Sequence, residues 1–181
     1  LDCCMETDGG SAVIVTTPER ARDLKQPGVQ IRGIAQCAAE DQEQMTSFYR
    51  EEFAGIPEME VAAKNTYEMS DLSPEDIDAA VIYDAFSPIV LWQLEAWGFC
   101  GFGESGDFVL DGALRSDGRL PTNTHGGQLS EGYIHGVNGI VEATRLVRGQ
   151  SLNQPAKEIN HALVTSGVGI PTGGALLGKL D

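Results

Sequence analysis

The segment Thr122-Asn-Thr-His-Gly-Gly-Gln-Leu-Ser-Glu-Gly-Tyr-Ile-His-Gly-Val-Asn-Gly139 combines five glycines with one tyrosine and two histidines. Because glycine has no Cβ, it permits backbone conformations and close approaches that other residues disfavour. A helix is predicted from Val137 to about Arg148, with Arg145 and Arg148 in the last turn, where positive charge complements the helix dipole. The segment is therefore predicted to be a loop that joins a strand to a helix. The simplest alternative is a glycine-built turn with no other role.

Apolar runs on both sides of this loop predict a buried sheet. Residues 79–85 form a nearly continuous apolar run, which is typical of a buried parallel strand. Ser87 and Pro88 then start a helix that is apolar nearly all round, so it is expected between two layers, and residues 98–106 end it as a loop. Two further strands are predicted at 162–165 and 174–178, on either side of a glycine-rich turn.

The N-terminal part carries shorter patterns. A β-branched run at 11–16 follows two glycines and predicts a strand. Residues 18–24 predict a short helix with Thr17 as N-cap and proline at its first position, and 29–36 predict the next strand.

Residues 40–54 are acidic and polar and are interpreted as helical turns or a surface excursion. A helix follows, because Met59, Ala62, Ala63, Thr66, Tyr67 and Met69 recur at helical spacing. Residues 73–78 form a capped acidic turn before the first buried strand. Strands and helices thus alternate along the chain, and together they predict a layered α/β fold.

Composition limits the possible partners. The 181 residues include only 12 Lys and Arg and carry a formal net charge of −15, which argues against nucleic acid or an anionic membrane surface. No apolar run is long enough to cross a membrane and no signal-peptide pattern is present, so a soluble cytoplasmic protein is expected. The four cysteines lack metal-ligand spacing, so reduced buried thiols and no metal site are expected.

The loop also follows a known pattern. It resembles the thiolase loop Asn-x-x-Gly-Gly-x-x-x-x-Gly-His-Pro-x-Gly-x-x-Gly, with Tyr133 where that loop has its catalytic histidine. Two more landmarks resemble the thiolase superfamily in the same order, namely Asp-Gly-Gly-Ser-Ala at 8–12 and Ile-Tyr-Asp-Ala-Phe at 82–86. Together with Gly-Phe-Cys at 98–100, they resemble above all its lipid-transfer-protein, or sterol-carrier-type, branch.

The resemblance implies a thiolase-like layered α/β fold. Residues 1–25 would be the end of the N-terminal thiolase-like half, and residues 26–181 the C-terminal thiolase-like domain. The nucleophilic cysteine of thiolases belongs to the N-terminal half. This chain is therefore expected to be only part of an active assembly and not to turn over alone.

Thiolase chemistry itself is not implied. Tyr83 stands where thiolases have the asparagine of their Asn-Glu-Ala-Phe motif, and no cysteine occurs at 164–167, where their second reactive cysteine is expected. A tyrosine, with an ordinary pKa near 10, suits proton exchange with an alkoxide or an enolate. Cleaving a β-hydroxyacyl-CoA by a retro-aldol reaction needs two such proton transfers.

Within the branch, Glu-Gly-Tyr-Ile-His-Gly at 131–136 resembles the actinobacterial aldolases that cleave steroid side chains. The resemblance implies a carbon–carbon lyase that releases propionyl-CoA from a steroid CoA thioester, with Tyr133 and Tyr83 as the acid/base pair. It implies no cofactor, CoA being part of the substrate, and a partner of the DUF35 class with an OB-fold. A homodimer is expected, assembled into a heterotetramer. With few basic residues in this chain, much of the CoA-binding surface is expected elsewhere.

Five residues are predicted to bind substrate: Asn123, His125, His135, Gly167 and Asp84. Each has a plainer interpretation. The histidines can be satisfied loop residues, Asp84 can cap the helix that follows it, and Tyr133 can pack at the start of the next helix. His161 is interpreted as structural. Two other functions remain open, an acetyl-CoA acyltransferase (thiolase) and a non-catalytic subunit that binds lipid or acyl-CoA.

Overall fold

The computed structural model describes residues 2–40, 50, 54–168 and 172–180. Its helices are α1 (Pro18–Arg22), α2 (Pro57–Ser70), α3 (Ser87–Ala96), α4 (Ser105–Leu110), α5 (Gly127–Ser130) and α6 (Val137–Arg148). Its strands are β1 (Val29–Cys37), β2 (Ala79–Val81), β3 (His161–Ser166) and β4 (Thr172–Lys179). A 3₁₀ turn at Pro74–Asp76 precedes β2 and carries the predicted capping interactions, centred on Ser73.

The strands form one sheet in the order β1-β4-β3-β2. Strand β4 pairs antiparallel with both β1 and β3, while β2 and β3 are parallel. The predicted parallel relation of β2 is therefore confirmed.

Helices cover both faces of this sheet, since successive side chains of a strand point to opposite faces and those of β3 and β4 pack into two different clusters. Leu163 and Leu176 belong to the core cluster that contains α2 and α3. Their neighbours Val164 and Leu177 belong to a second cluster, under α6. The result is a helix–sheet–helix arrangement, which confirms the layered α/β prediction.

Gly139 allows α6 to lie close to the sheet. A Cβ at this position would lie 3.0 Å from Cγ1 of Val81 and 3.5 Å from Cγ1 of Val164. A larger side chain would push the helix away from both strands. The glycine of the predicted loop therefore sets how closely helix and sheet pack.

Four predicted elements need correction. Residues 11–16 form no strand. They are exposed, with Ile14 90% exposed, and they pair with no strand of the described residues. The run at 79–85 is a strand only to Val81, since the next two residues bond to side chains. The first helix ends at Arg22 and not at residue 24. Helix α4 begins inside the residues predicted as loop.

Further expectations concern Tyr133, the four cysteines, the segment 40–54 and membrane spans. Tyr133 does not begin a helix, since it lies between α5 and α6 and forms an isolated β-bridge with Glu6. The four thiols are free, but none is fully buried, and Cys3 is exposed. Most of the segment 40–54 lies outside the described residues. None of the helices that are described has the length and hydrophobicity needed to cross a membrane.

Candidate active site

Two tyrosine hydroxyls meet at the carboxyl end of β2. The hydroxyl oxygens of Tyr83 and Tyr133 lie 2.8 Å apart, a hydrogen bond in which either group can be the donor. Both side chains are half-buried, and their rings are tilted by 54° with centroids 6.4 Å apart. The two residues are 50 positions apart in the chain, and the fold brings their reactive atoms into direct contact.

Side chains hold the backbone that carries Tyr83. The backbone N–H of Ile82 donates to Oδ1 of Asn123 at 2.8 Å, and Nδ2 of Asn123 donates to the Ile82 carbonyl at 2.9 Å. The Tyr83 N–H donates to Oγ1 of Thr165 at 2.9 Å, and Nε2 of Gln93 donates to the Tyr83 carbonyl at 2.7 Å. Tyr83 is thus fixed on both sides of its Cα.

The environment of the Tyr83 hydroxyl favours its protonated form. Burial raises the pKa of Tyr83 well above its ordinary value, and the hydrogen bond with Tyr133 adds to that rise. Tyr83 is therefore a neutral phenol throughout the physiological pH range.

An extended N-terminal segment connects the two loops that carry the tyrosines. The Cys4 N–H donates to the Ala85 carbonyl at 2.9 Å, two residues beyond Tyr83. Thr7 then pairs with Tyr133, because Thr7 N–H donates to the Tyr133 carbonyl at 3.4 Å and Tyr133 N–H donates to Oγ1 of Thr7 at 3.3 Å. Residues 4–7 thereby link the two sides of the pair.

Asp84 anchors the glycine-rich loop. Its Oδ1 accepts a hydrogen bond from the Gln128 N–H at 2.6 Å, near the start of α5. A Cβ on Gly127 would lie 2.0 Å from Oδ2 of Asp84, so only glycine fits there. Asp84 does not cap α3 as its plainer interpretation proposed, because it faces the other loop and the N-cap residue Phe86 makes no side-chain cap bond. Burial raises the pKa of Asp84, while backbone N–H groups oppose the rise.

His125 is enclosed beside this anchor. Its side chain is 4% exposed, and Nε2 lies 3.6 Å from Oε2 of Glu131. Neither ring nitrogen has a hydrogen-bond partner among the described residues, and neither does Oε1 of Gln128. Asn138 joins the group by donating from Nδ2 to Oε2 of Glu131 at 2.8 Å. Buried polar atoms of this kind are open to a bound molecule or water.

The remaining predicted binding residues are His135 and Gly167. His135 is exposed and packs edge-on against the Tyr133 ring, with centroids 5.1 Å apart. Gly167 follows β3 with a φ of +82°, which favours glycine.

Two cavities flank this region. A cavity of about 480 Å³ has Asp84 and Asn123 on one wall, and its remaining lining is mostly apolar, including Val90, Leu91 and Leu129. His135 instead lines a cavity of about 270 Å³ between β3, β4 and the start of α6. The structure therefore brings Asp84 and Asn123 to one cavity and His135 to another.

Sequence reasoning missed Gln93, Thr165 and Thr7 as members of this site. Gln93 carries a detectable signal, since it is a polar residue within an otherwise apolar stretch of α3. Thr165 lies in the segment 164–167, where the sequence pattern indicates only that the second thiolase cysteine is absent. Nothing in the local pattern around Thr7 indicates its contact with Tyr133, since the two residues are 126 positions apart.

Comparison with known proteins gives consistent matches. The family model described as thiolase C-terminal domain-like matches residues 39–176. The chain is 57% identical to a steroid side-chain-cleaving aldolase of Thermomonospora curvata, over 98% of this chain and 45% of that protein. It is 53% identical to a 17-hydroxy-3-oxo-4-pregnene-20-carboxyl-CoA lyase of Mycobacterium tuberculosis, over 98% of this chain and 46% of that protein.

A solved structure described as the Ltp2–ChsH2(DUF35) aldolase matches the fold with a TM-score of 0.96 and 56% identity. The match covers 98% of this chain and 46% of that chain. The chain thus spans a little under half the length of the relatives that it matches.

Proposed function

Since the chain belongs to the thiolase superfamily, through its C-terminal-domain-like region, we propose that it supplies the acid/base residues of a carbon–carbon lyase acting on a β-hydroxyacyl-CoA. The observation that carries this proposal is the 2.8 Å hydrogen bond between the hydroxyls of Tyr83 and Tyr133. The names of the two aldolase and lyase relatives support the reaction class.

The reaction is a retro-aldol cleavage. A base removes the proton of the β-hydroxyl, and the O–H electron pair forms the carbonyl of one product as the Cα–Cβ bond breaks. The electrons of that bond pass to the thioester as an enolate, which takes a proton at Cα and leaves as an acyl-CoA. One proton moves in total, from the β-oxygen to the α-carbon, and neither water nor a redox partner is consumed. CoA enters only as part of the substrate.

A hydrogen-bonded pair of phenols suits this proton balance. As Tyr133 takes the proton of the β-oxygen, it can pass its own proton along the hydrogen bond to Tyr83, and Tyr83 gives its proton to Cα of the enolate, so both phenols end neutral as they began. The raised pKa of Tyr83 supports the role of proton donor, because its hydroxyl stays protonated. Tyr133, the counterpart of the thiolase histidine, is assigned as the base.

The predicted binding residues would surround the thioester and acyl chain. The ring nitrogens of His125 have no hydrogen-bond partner among the described residues, which supports a proposed contact with a substrate oxygen. Asn123 and Asp84 line the larger cavity, whose mostly apolar wall suits an acyl group. His135 supports the Tyr133 ring, and Gly167 would leave room near β3. A steroid acyl chain is proposed from the names of the relatives alone.

The description of the matching solved structure includes DUF35, which supports a partner of that class. We propose a homodimer of a longer thiolase-like protein bound to two DUF35 subunits with an OB-fold. "The assembly" below means this complex. The exposed CoA phosphates would be bound mainly by its other parts.

A thiolase is the second candidate, because acetyl-CoA acetyltransferases also share the family, at 33% identity for one from Methanothermobacter thermautotrophicus. Thiolytic chemistry needs a second reactive cysteine, which the segment 164–167 lacks. Thr165 in that segment is buried, and its hydroxyl is already engaged in two hydrogen bonds. The lyase is therefore favoured.

The test is to replace each tyrosine of the pair by phenylalanine in the assembly. Tyr83→Phe and Tyr133→Phe should each lower kcat at least about a hundredfold, since acid/base groups contribute on the order of 10²–10⁴-fold. Affinity for the acyl-CoA should change far less, because only a hydroxyl is lost. The measurement is release of propionyl-CoA from a β-hydroxyacyl-CoA with a steroid acyl chain.

Tyr67→Phe is the matched control. Tyr67 is also half-buried, and its hydroxyl donates to the Trp97 carbonyl at 3.0 Å, away from the pair. This variant should keep the wild-type rate. If both pair variants do the same, the proposal fails and the non-catalytic binding subunit becomes the better interpretation.

A further inference from the structure

The backbone of residues 82 and 83 is bonded to side chains where a strand would bond to a neighbouring strand. The ladder between β2 and β3 ends at the pair Val81 and Val164. Beyond it, Asn123 satisfies both backbone groups of Ile82. The backbone groups of Tyr83 are satisfied by two other side chains, which come from β3 and α3.

Thr165 and Gln93 form a closed ring with Tyr83. Oγ1 of Thr165 accepts the Tyr83 N–H at 2.9 Å and donates its own proton to Oε1 of Gln93 at 2.5 Å. Nε2 of Gln93 then donates to the Tyr83 carbonyl at 2.7 Å and also to the Ile89 carbonyl at 3.0 Å. The bonds run from the amide of Tyr83 back to its carbonyl through two side chains.

Because this ring is buried, each of its polar groups needs a hydrogen-bond partner. Gln93 is 0% exposed and Thr165 is 3% exposed. An unpaired polar group in such a place costs free energy, because it gives up its hydrogen bonds to water. Here each donor of the Gln93 amide, its oxygen and the Thr165 hydroxyl all have partners. Any displacement of Tyr83 would break several buried bonds at once.

We infer that Thr165 and Gln93 are positioning residues, which hold the Tyr83 hydroxyl at hydrogen-bonding distance from Tyr133. The inference rests on the proposed lyase function. The hydroxyl lies at the far end of the tyrosine side chain, so a small rotation of the backbone moves it by a larger distance. A hydroxyl–hydroxyl bond tolerates only a few tenths of an ångström around 2.8 Å, and a misplacement of about 1 Å can cost about a hundredfold in rate.

The first experiment removes the Thr165 hydroxyl in the assembly. Thr165→Val keeps the shape of the side chain but can neither accept from Tyr83 nor donate to Gln93. We expect kcat to fall by about ten- to a hundredfold while KM for the acyl-CoA stays within about threefold. Thr165→Ser restores the hydroxyl and should recover most of the rate.

Thr66→Val is the matched control for this change. Thr66 is 0% exposed, and its hydroxyl has no hydrogen-bond partner among the described residues. The variant thus removes a buried threonine hydroxyl outside the ring and should leave kcat unchanged. An equal loss of kcat in Thr66→Val would show a general packing effect and would overturn the inference.

A double-mutant cycle separates the inference from the proposed function. If Thr165 acts only through the Tyr83 hydroxyl, Thr165→Val should cause no further loss of kcat in a Tyr83→Phe background. If Tyr83→Phe is impaired but the two losses multiply, the lyase proposal stands and the positioning role is wrong. If Tyr83→Phe is fully active, the positioning role is wrong, and the lyase proposal fails with it if Tyr133→Phe is fully active as well.

Gln93→Met tests the same inference with a second variant, in case Thr165→Val fails to fold. It fills a similar volume and breaks the ring at its other side. The same loss of kcat, again absent in the Tyr83→Phe background, supports the inference. A wild-type rate for a folded Gln93→Met variant would overturn it.

Discussion

Two chemically identical hydroxyls can take different roles because their surroundings differ. The backbone of Tyr83 is fixed by buried side chains, and burial raises its pKa. The backbone of Tyr133 pairs with Thr7, and its ring packs against the exposed His135. Because its raised pKa keeps the Tyr83 phenol protonated, this hydroxyl can donate to an enolate, which is a much stronger base than a phenolate.

Asp84 offers a test of these electrostatics through stability. Its pKa is raised in the folded protein by burial, so above about pH 4 the unfolded chain releases this proton before the folded chain does. The free energy of unfolding should therefore lose a contribution from Asp84 as pH rises through the folded pKa. Relative to Asp84→Asn, which cannot titrate, wild type should have its full advantage below about pH 4 and lose it as the pH rises through the folded pKa of Asp84.

Urea unfolding of both proteins across this pH range measures the effect. Asp107→Asn serves as the control, since Asp107 is exposed in the first turn of α4 and its replacement makes the same change in net charge. A difference between wild type and Asp84→Asn that stays constant or grows with pH would contradict the burial argument.

At the residue scale, sequence patterns could identify the two tyrosines but not their support. The glycines around Tyr133 keep the spacing of a known loop and so identify it, and Tyr83 is identified by the Asp-Ala-Phe that follows it. Thr165 and Gln93 are joined across 72 positions by a hydrogen bond that depends on tertiary packing. No local periodicity encodes such a contact.

At the scale of elements, the approach of α6 to the sheet depends on Gly139. Helix propensity favours alanine over glycine by about 1 kcal/mol, but an added Cβ would press on Val81 from 3.0 Å. Val81 is 4% exposed within the core cluster under α6, so it has little room to move. Steric cost should therefore exceed the propensity gain.

We expect Gly139→Ala to lower the free energy of unfolding, and Gly139→Leu to lower it further, by about 1–3 kcal/mol or more. Chemical denaturation measures both. Gly106→Ala in α4 is the control, because a Cβ there meets nothing within 4 Å, and it should be neutral or stabilising. Val81→Ala should reduce the loss of unfolding free energy that Gly139→Ala causes. If it does not, the contact with Val81 is not the cause of that loss.

The elements that could be predicted are those whose patterns follow from burial. Strand β3 is buried continuously from Ala162 to Thr165, as an apolar strand covered on both faces should be, and helices α2 and α6 bury residues at helical spacing. The run at 11–16 has the same β-branched composition but lies exposed, so composition alone did not determine pairing. A strand needs a neighbour, and the local sequence does not state whether one is present.

At the scale of the whole molecule, the surface has exposed apolar residues that a partner could cover and few basic residues. Val13, Ile14 and Val15 are 43%, 90% and 74% exposed in consecutive positions. Twelve Lys and Arg in a chain of net charge −15 leave little positive surface for CoA phosphates. Exposed apolar runs of this kind mark interaction sites.

We therefore expect this chain alone to show no cleavage of a β-hydroxyacyl-CoA, and the assembly to show it. Light scattering should detect a dimer of the longer thiolase-like protein that gains mass equivalent to two subunits when the DUF35 protein is added. Other parts of the assembly would then cover the exposed apolar residues of this chain and supply positive charge for the CoA phosphates. The DUF35 subunit alone, assayed in parallel, should be inactive, since it lacks both tyrosines. Cleavage by the isolated chain would show that the Tyr83–Tyr133 pair needs no further support. A stable monomer with no affinity for the DUF35 subunit would refute the proposed partner while leaving the tyrosine chemistry to be judged by its own variants.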